Sequence, residues 1–135
     1  MSAETRQRQQ DARLEAVNRF IRTVGDSDRQ FFSYKGQFSR FEYADNRRLW
    51  WVDRYPDPRT GKRPRLYAHR RWWGSRFSNG GTLQAIARDL AQYIVHGTPA
   101  PTHLYSARLW AVPEDQITKI LSEGRRLGIF EEGRG

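Results

Sequence analysis

The 135-residue chain has no cysteine, one methionine, three histidines and three lysines. Without cysteine there are no disulfides and no thiolate metal sites. His69, His96 and His103 form no close pair at helical spacing, so a zinc site has little to draw on, and no metal or other cofactor is expected. Long hydrophobic runs are missing too. The longest weakly polar stretch, "LQAIARDLAQYIV" at 83–95, is too short for a bilayer and carries both signs of charge, so no membrane association is expected. The opening "MSAETRQRQQ" lacks the apolar segment of a secretion signal, which makes a cytoplasmic protein the expectation.

What the chain does have is arginine and aromatic residues. The composition, 37% hydrophobic, 13% aromatic and 29% charged, supplies enough apolar mass for one folded domain over 1–135. The formal net charge is +9, and its distribution is uneven. Residues 31–81 hold twelve basic and four acidic side chains, and with them 13 of the 18 aromatics. Arginine's excess over lysine is also what a GC-rich genome produces, so the clustering says more than the preference.

Periodicity divides the chain into elements. Leu14, Val17, Phe20, Ile21 and Val24 share one face of a helix over 11–24, stopped at Gly25, with residues 1–10 a polar tail prone to fraying or disorder. From about 30 to 70 the period shifts to two. "FFSYKGQF" turns at Lys35-Gly36, and Asp45-Asn46 sits where a two-residue hairpin turn needs positive φ. The turn-rich "PDPRTGKRP" at 56–64 then precedes a strand at 65–70. Three or four antiparallel strands result. A second helix is expected over 82–95, capped by Thr82, with Leu83, Ile86, Ala87, Leu90 and Ile94 on its apolar face. A third is expected over 113–127, with Pro113 at its first position, acidic residues leading, Arg125 and Arg126 trailing and Gly128 beyond. The stretch 104–112 reads equally as strand or helical turn. The fold class is therefore α+β, an antiparallel sheet packed by three helices. The 113–135 segment is available for packing or for homodimerisation with the N-terminal helix.

Two related stretches, "RLWWVDRY" at 48–55 and "RRWWGSRF" at 70–77, set paired tryptophans among arginines. Consecutive strand residues point to opposite faces, so one indole of a pair goes in and the other out. In the first stretch Leu49, Trp51 and Tyr55 make the apolar face. The opposite face carries Arg48, Trp50 and Arg54, joined from neighbouring strands by Arg40, Arg65, Tyr67 and His69. Arg59, Lys62 and Arg63 extend it from the loop, and Arg70 and Arg71 from the strand end. The second stretch runs into a glycine-rich turn, where Trp72 and Trp73 are expected to plug a junction.

Such a face has what nucleic acid requires: guanidinium forks for phosphate or guanine edges, and aromatic rings for bases and sugars. The competing reading has helices covering both faces, with arginine stems packed on tryptophan rings at the rim. The order of three strands and one amphipathic helix, over about 37–95, resembles the arm-binding domains of phage-type integrases and the plant ethylene-response DNA-binding domain. There the open sheet face enters the major groove. The resemblance is one of layout and carries no residues across, but it implies DNA rather than RNA.

Catalytic readings have less support. Asp53 and Glu42 on adjacent strands suggest a metal-dependent nuclease pair, but carboxylates amid arginines more often balance charge. "FSNGGT" lacks the lysine and spacing of a phosphate loop, and Ser75, Ser78 and Thr82 have no base at recognisable spacing. The expectation is a non-catalytic nucleic-acid-binding protein. The alternative is a protein-interaction module, such as an accessory or inhibitor protein of a phage or mobile element, whose basic face meets an acidic partner.

Overall fold

The computed structural model describes residues 1–131. The end of the expected 113–135 segment, residues 132–135, lies outside the described residues. The chain is α+β, as the periodicities predict, and its described residues form four α-helices and two small antiparallel sheets.

Helix α1 spans Ala3–Gly25, so the expected tail is helical almost from its start. Ser2 provides the cap, its Oγ accepting from the Thr5 N–H at 3.1 Å. The segment's polar side chains then find partners elsewhere. Gln10 and Arg13 donate to the carbonyls of Ile94 and Val95, the free acceptors at the end of the next long helix, where a cation also suits the dipole. Further along, Val17, Phe20, Ile21 and Val24 are buried. Gly25, the last helical residue, is small for a packing reason, since a Cβ there would stand 2.6 Å from the Phe38 ring.

Strands β1 (Ser33–Tyr34) and β2 (Gln37–Phe38) form a separate ribbon. Its turn is the expected Lys35-Gly36, both at positive φ, the geometry of a type I′ hairpin. Strands β3 (Arg40–Tyr43), β4 (Leu49–Val52) and β5 (Arg65–Tyr67) form the main sheet in that order. The β3–β4 hairpin departs from expectation. Positive φ falls on Arg47 rather than on Asp45 or Asn46, so the loop is a three-residue type ending in a left-handed residue. Arg47 is held there by Asp11 at 2.8 Å and Gln10 at 3.0 Å, with its guanidinium 3.9 Å from the Tyr43 ring centroid. On the outer edge of β3, Asn18 of α1 pairs with both backbone groups of Phe41, at 2.8 and 2.9 Å, and so blunts the edge.

Helix α2 (Gly81–His96) begins one residue before the expected start, with Gly80 rather than Thr82 at the cap position, and ends at Gly97 in the left-handed conformation. The ambiguous 104–112 stretch resolves as a short helix, α3 (Ala107–Trp110), capped by Ser106. Helix α4 (Glu114–Arg126) has Pro113 at its cap rather than its first turn. Its apolar positions are taken up within the chain: Ile117 and Ile120 are buried, while Leu121 and Leu127 pack against the core. Ala100 and Phe130 then form a parallel bridge that ties the end of the chain to the segment after α2. No helix among the described residues is long and apolar enough to cross a membrane.

Two aromatic clusters fill the core. Under the sheet, Trp51 meets Phe32, Phe41, Trp73 and Phe77 at ring separations of 5.0–5.9 Å. Between the helices, Phe20 meets Tyr105 and Phe130 edge-on. The second cluster explains the buried Gly124 in α4, since a Cβ there would fall on the Phe130 ring. Alanine normally favours a helix over glycine by ~1 kcal/mol. Here overpacking costs about 1–3 kcal/mol, so Gly124→Ala is expected to lower the melting temperature, as differential scanning calorimetry would read directly.

Candidate nucleic-acid interface

The register of the main sheet sorts its side chains. Phe41, Trp51 and Leu66 lie across from one another and are buried beneath it. The other face has Arg40, Val52 and Arg65 in one row and Glu42, Trp50 and Tyr67 in the next. A further bond, Ala68 N–H to the Leu49 carbonyl at 2.9 Å, extends the alternation and brings Arg48 and His69 to the same face.

This face is not roofed by a helix. Arg40, Arg48, Arg65 and His69 are exposed, and Trp50 and Tyr67 are half-buried. The rings and cations form one packed layer. Trp50 lies 5.5 Å from Tyr67, the Arg65 guanidinium 5.0 Å from the Trp50 ring, Arg48 5.5 Å from Tyr67, and His69 edge-on to Tyr67 at 5.5 Å. The expectation that helices cover both faces is therefore not met, although the arginines do pack on the rings as that reading had it. Val52 shares the face yet is buried beneath its arginine neighbours. Burial, then the nearby His96 and Arg88 charges, pull the His69 imidazole below its ordinary pKa, which favours its neutral form.

One carboxylate tempers the face. Glu42 bridges Arg65 at 2.8 Å and Arg40 at 3.5 Å. It does not meet Asp53, which is fully buried, so the two carboxylates form no nuclease pair. Among the described residues no three His, Asp or Glu side chains gather where they would hold a metal ion.

Arg54 and Arg63 leave the predicted face. Beyond Val52 the strand ends, and Arg54 turns back to donate to the carbonyls of Gln30 at 2.9 Å and Ser33 at 3.0 Å and to Ser78 Oγ at 3.1 Å. Arg63 donates to the carbonyls of Asp53 at 2.6 Å and Phe38. Backbone carbonyls in and between the short strands, and that of Gln30 before β1, take up both arginines. Burial lowers both guanidinium pKa values from the ordinary range; Arg40 adds to this at Arg63, and Asp53 opposes it at both. Tyr55, expected on the apolar face, is 43% exposed and packs against Tyr34 at 4.6 Å.

Arg70 and Arg71 continue outward from β5 and are exposed, as are Arg59 and Lys62 on the 56–64 loop. The second tryptophan pair splits. Trp73 is buried, its indole N–H donating to the Tyr67 carbonyl at 2.9 Å, whereas Trp72 is 66% exposed and is not the plug expected of it. Both pairs therefore put one indole in and one out, and the inner members, Trp51 and Trp73, stack 5.9 Å apart.

A family model described as YoqU matches residues 7–133. The chain belongs to the YoqU family. The match runs from within α1 past the bridge at Phe130, so the membership covers the helices as well as the basic sheet. Searches among curated proteins and solved structures return no match for this YoqU-family chain.

Proposed function

We propose that this protein binds nucleic acid through the open face of its three-stranded sheet, without catalysing a reaction on it. The observation that carries the reading is the solvent-facing layer of Trp50, Tyr67, Arg48, Arg65 and His69, in which cations lie over aromatic rings. Rings held in this way offer flat surfaces to bases or sugars at little entropic cost, and the Arg48 guanidinium, which has no ion-pair partner among the described residues, is open to a phosphate. Arg40, Arg70 and Arg71 widen the positive field around the layer. DNA is favoured by the layout of strands and helix.

Titration of duplex and single-stranded DNA at two salt concentrations tests the reading. Affinity should fall with added salt, by a logarithmic slope of about 0.9 per phosphate neutralised on a duplex. No measurable affinity at low salt would overturn it, and a salt-sensitive pull-down that survives nuclease treatment would instead favour an acidic protein partner. Glu42→Gln gives a sharper check because it predicts a gain. Freed of the carboxylate, Arg40 and Arg65 should each reach a phosphate, so binding tightens by about two- to tenfold and the salt slope steepens, as fluorescence anisotropy would show.

A further inference from the structure

Beside the sheet face lies a cleft of about 590 Å³, a volume typical of sites for small ligands. One wall is the 56–64 loop and the other the turn at 75–78. Neither wall is slack. Three prolines stiffen the loop, and Asp57 N–H to the Lys62 carbonyl and Gly61 N–H to the Asp57 carbonyl, both 2.8 Å, close it on itself. The opposite wall is tied down where the buried Asp53 carboxylate accepts from Ser78 N–H at 2.7 Å and Ser78 Oγ at 3.0 Å.

The charges divide unequally. Asp53 is occupied by these bonds, and Arg63 by backbone carbonyls. Asp57 accepts from the Arg59 backbone N–H at 2.8 Å. Arg59, Lys62 and Arg76 line the same space, and among the described residues their side chains have no hydrogen-bond or ion-pair partner. Tyr55 offers an exposed ring at the rim. Lys62 and Arg63 also line a groove of about 430 Å³ that runs to Arg40 and Arg65, so the cleft is continuous with the sheet face.

We infer that this cleft is a nucleotide subsite, in which Arg59, Lys62 and Arg76 hold one phosphate group and the Tyr55 ring supports the attached sugar or base. A phosphate oxyanion suits three unpaired cations on preformed walls, because little ordering remains to oppose binding. The phosphate site stands on its own geometry; that the nucleotide is part of a nucleic acid rests on the function proposed above.

Thymidine bisphosphate, added to the isotope-labelled full chain, should shift the backbone amide signals of residues 59–62 and 75–78 along a saturating curve, while thymidine leaves them in place. Arg59→Ala and Arg76→Ala should each weaken this binding about tenfold, and Arg108→Ala and Arg125→Ala, outside both the cleft and the sheet face, less than about twofold. Both arginines are exposed, and unchanged signal dispersion elsewhere reports that the variants fold. Amides that do not respond, or an equal loss from all four variants, would overturn the site. Comparing an oligonucleotide with and without a terminal phosphate then names the source. A preference for the phosphorylated end, lost in Arg76→Ala, marks a strand terminus, and equal affinities that both fall in Arg76→Ala mark the internal backbone. Saturable bisphosphate binding with no oligonucleotide affinity would keep the cleft and remove the nucleic-acid reading; the reverse would remove the cleft.

Discussion

Trp50→Ala is expected to weaken oligonucleotide binding by about ten- to a hundredfold, because stacking on an aromatic side chain contributes about 1–3 kcal/mol per base. The residue occupies the centre of the open face, with Tyr67 on one side and the Arg65 guanidinium over its ring. Its loss removes a stacking surface and also the support that orients Arg65. The slope of affinity against salt should stay nearly unchanged, because no cation is deleted. Arg48→Ala is the complementary case, with a smaller loss of affinity and a slope reduced by about one. Trp50→Phe should retain much of the affinity. The fold should survive Trp50→Ala, since the side chain is half-buried on the solvent face, and circular dichroism in the near ultraviolet would report this. If Trp50→Ala binds like the parent chain, the sheet face is not the interface.

The sequence exposes this face for a definite reason. Alternation along a strand is a local property, so Phe41 and Trp51 could be assigned inward and Arg40, Arg48, Trp50 and Tyr67 outward from spacing alone, and the register agrees. Helix faces were legible on the same ground. What remained hidden depends on where strands stop. Alternation ends at Val52, and from there Arg54 follows backbone carbonyls rather than the pleat. Arg63 does the same through Asp53 and Phe38. Their partners lie ten to twenty-five residues away in sequence, beyond the reach of any periodic signal. The first ten residues were obscured for a similar reason. That part of α1 has no apolar stripe and is anchored by Gln10 and Arg13 at the far end of α2, a tertiary contact more than eighty residues distant. Trp72 belongs with them, since it lies outside every described strand and no alternation assigns its side.

The largest loss of stability should follow Asp53→Ala. The Asp53 carboxylate is fully buried, accepting from Trp51 Nε1 at 3.4 Å, from the Arg54 N–H at 2.9 Å and from both donors of Ser78. Removing it strands those donors and deprives two partly buried guanidiniums, Arg54 and Arg63, of their counter-charge. Breaking such an arrangement from one side typically costs about 3–5 kcal/mol, a large share of the roughly 5–15 kcal/mol that stabilises a typical domain. The urea midpoint should drop accordingly, with an unchanged denaturant slope if unfolding stays two-state. Asp53→Asn keeps the volume and one acceptor, so its cost should be smaller, about 1–3 kcal/mol. The asparagine variant separates stability from function. It leaves Arg59, Lys62 and Arg76 in place and loosens the tie to Ser78 that fixes one wall of the cleft. Binding of thymidine bisphosphate should therefore weaken in Asp53→Asn even at temperatures where the protein is fully folded. Ser78→Ala should weaken it by a similar amount, and the double variant by less than the sum of the two, because both substitutions loosen the same tie between Asp53 and Ser78.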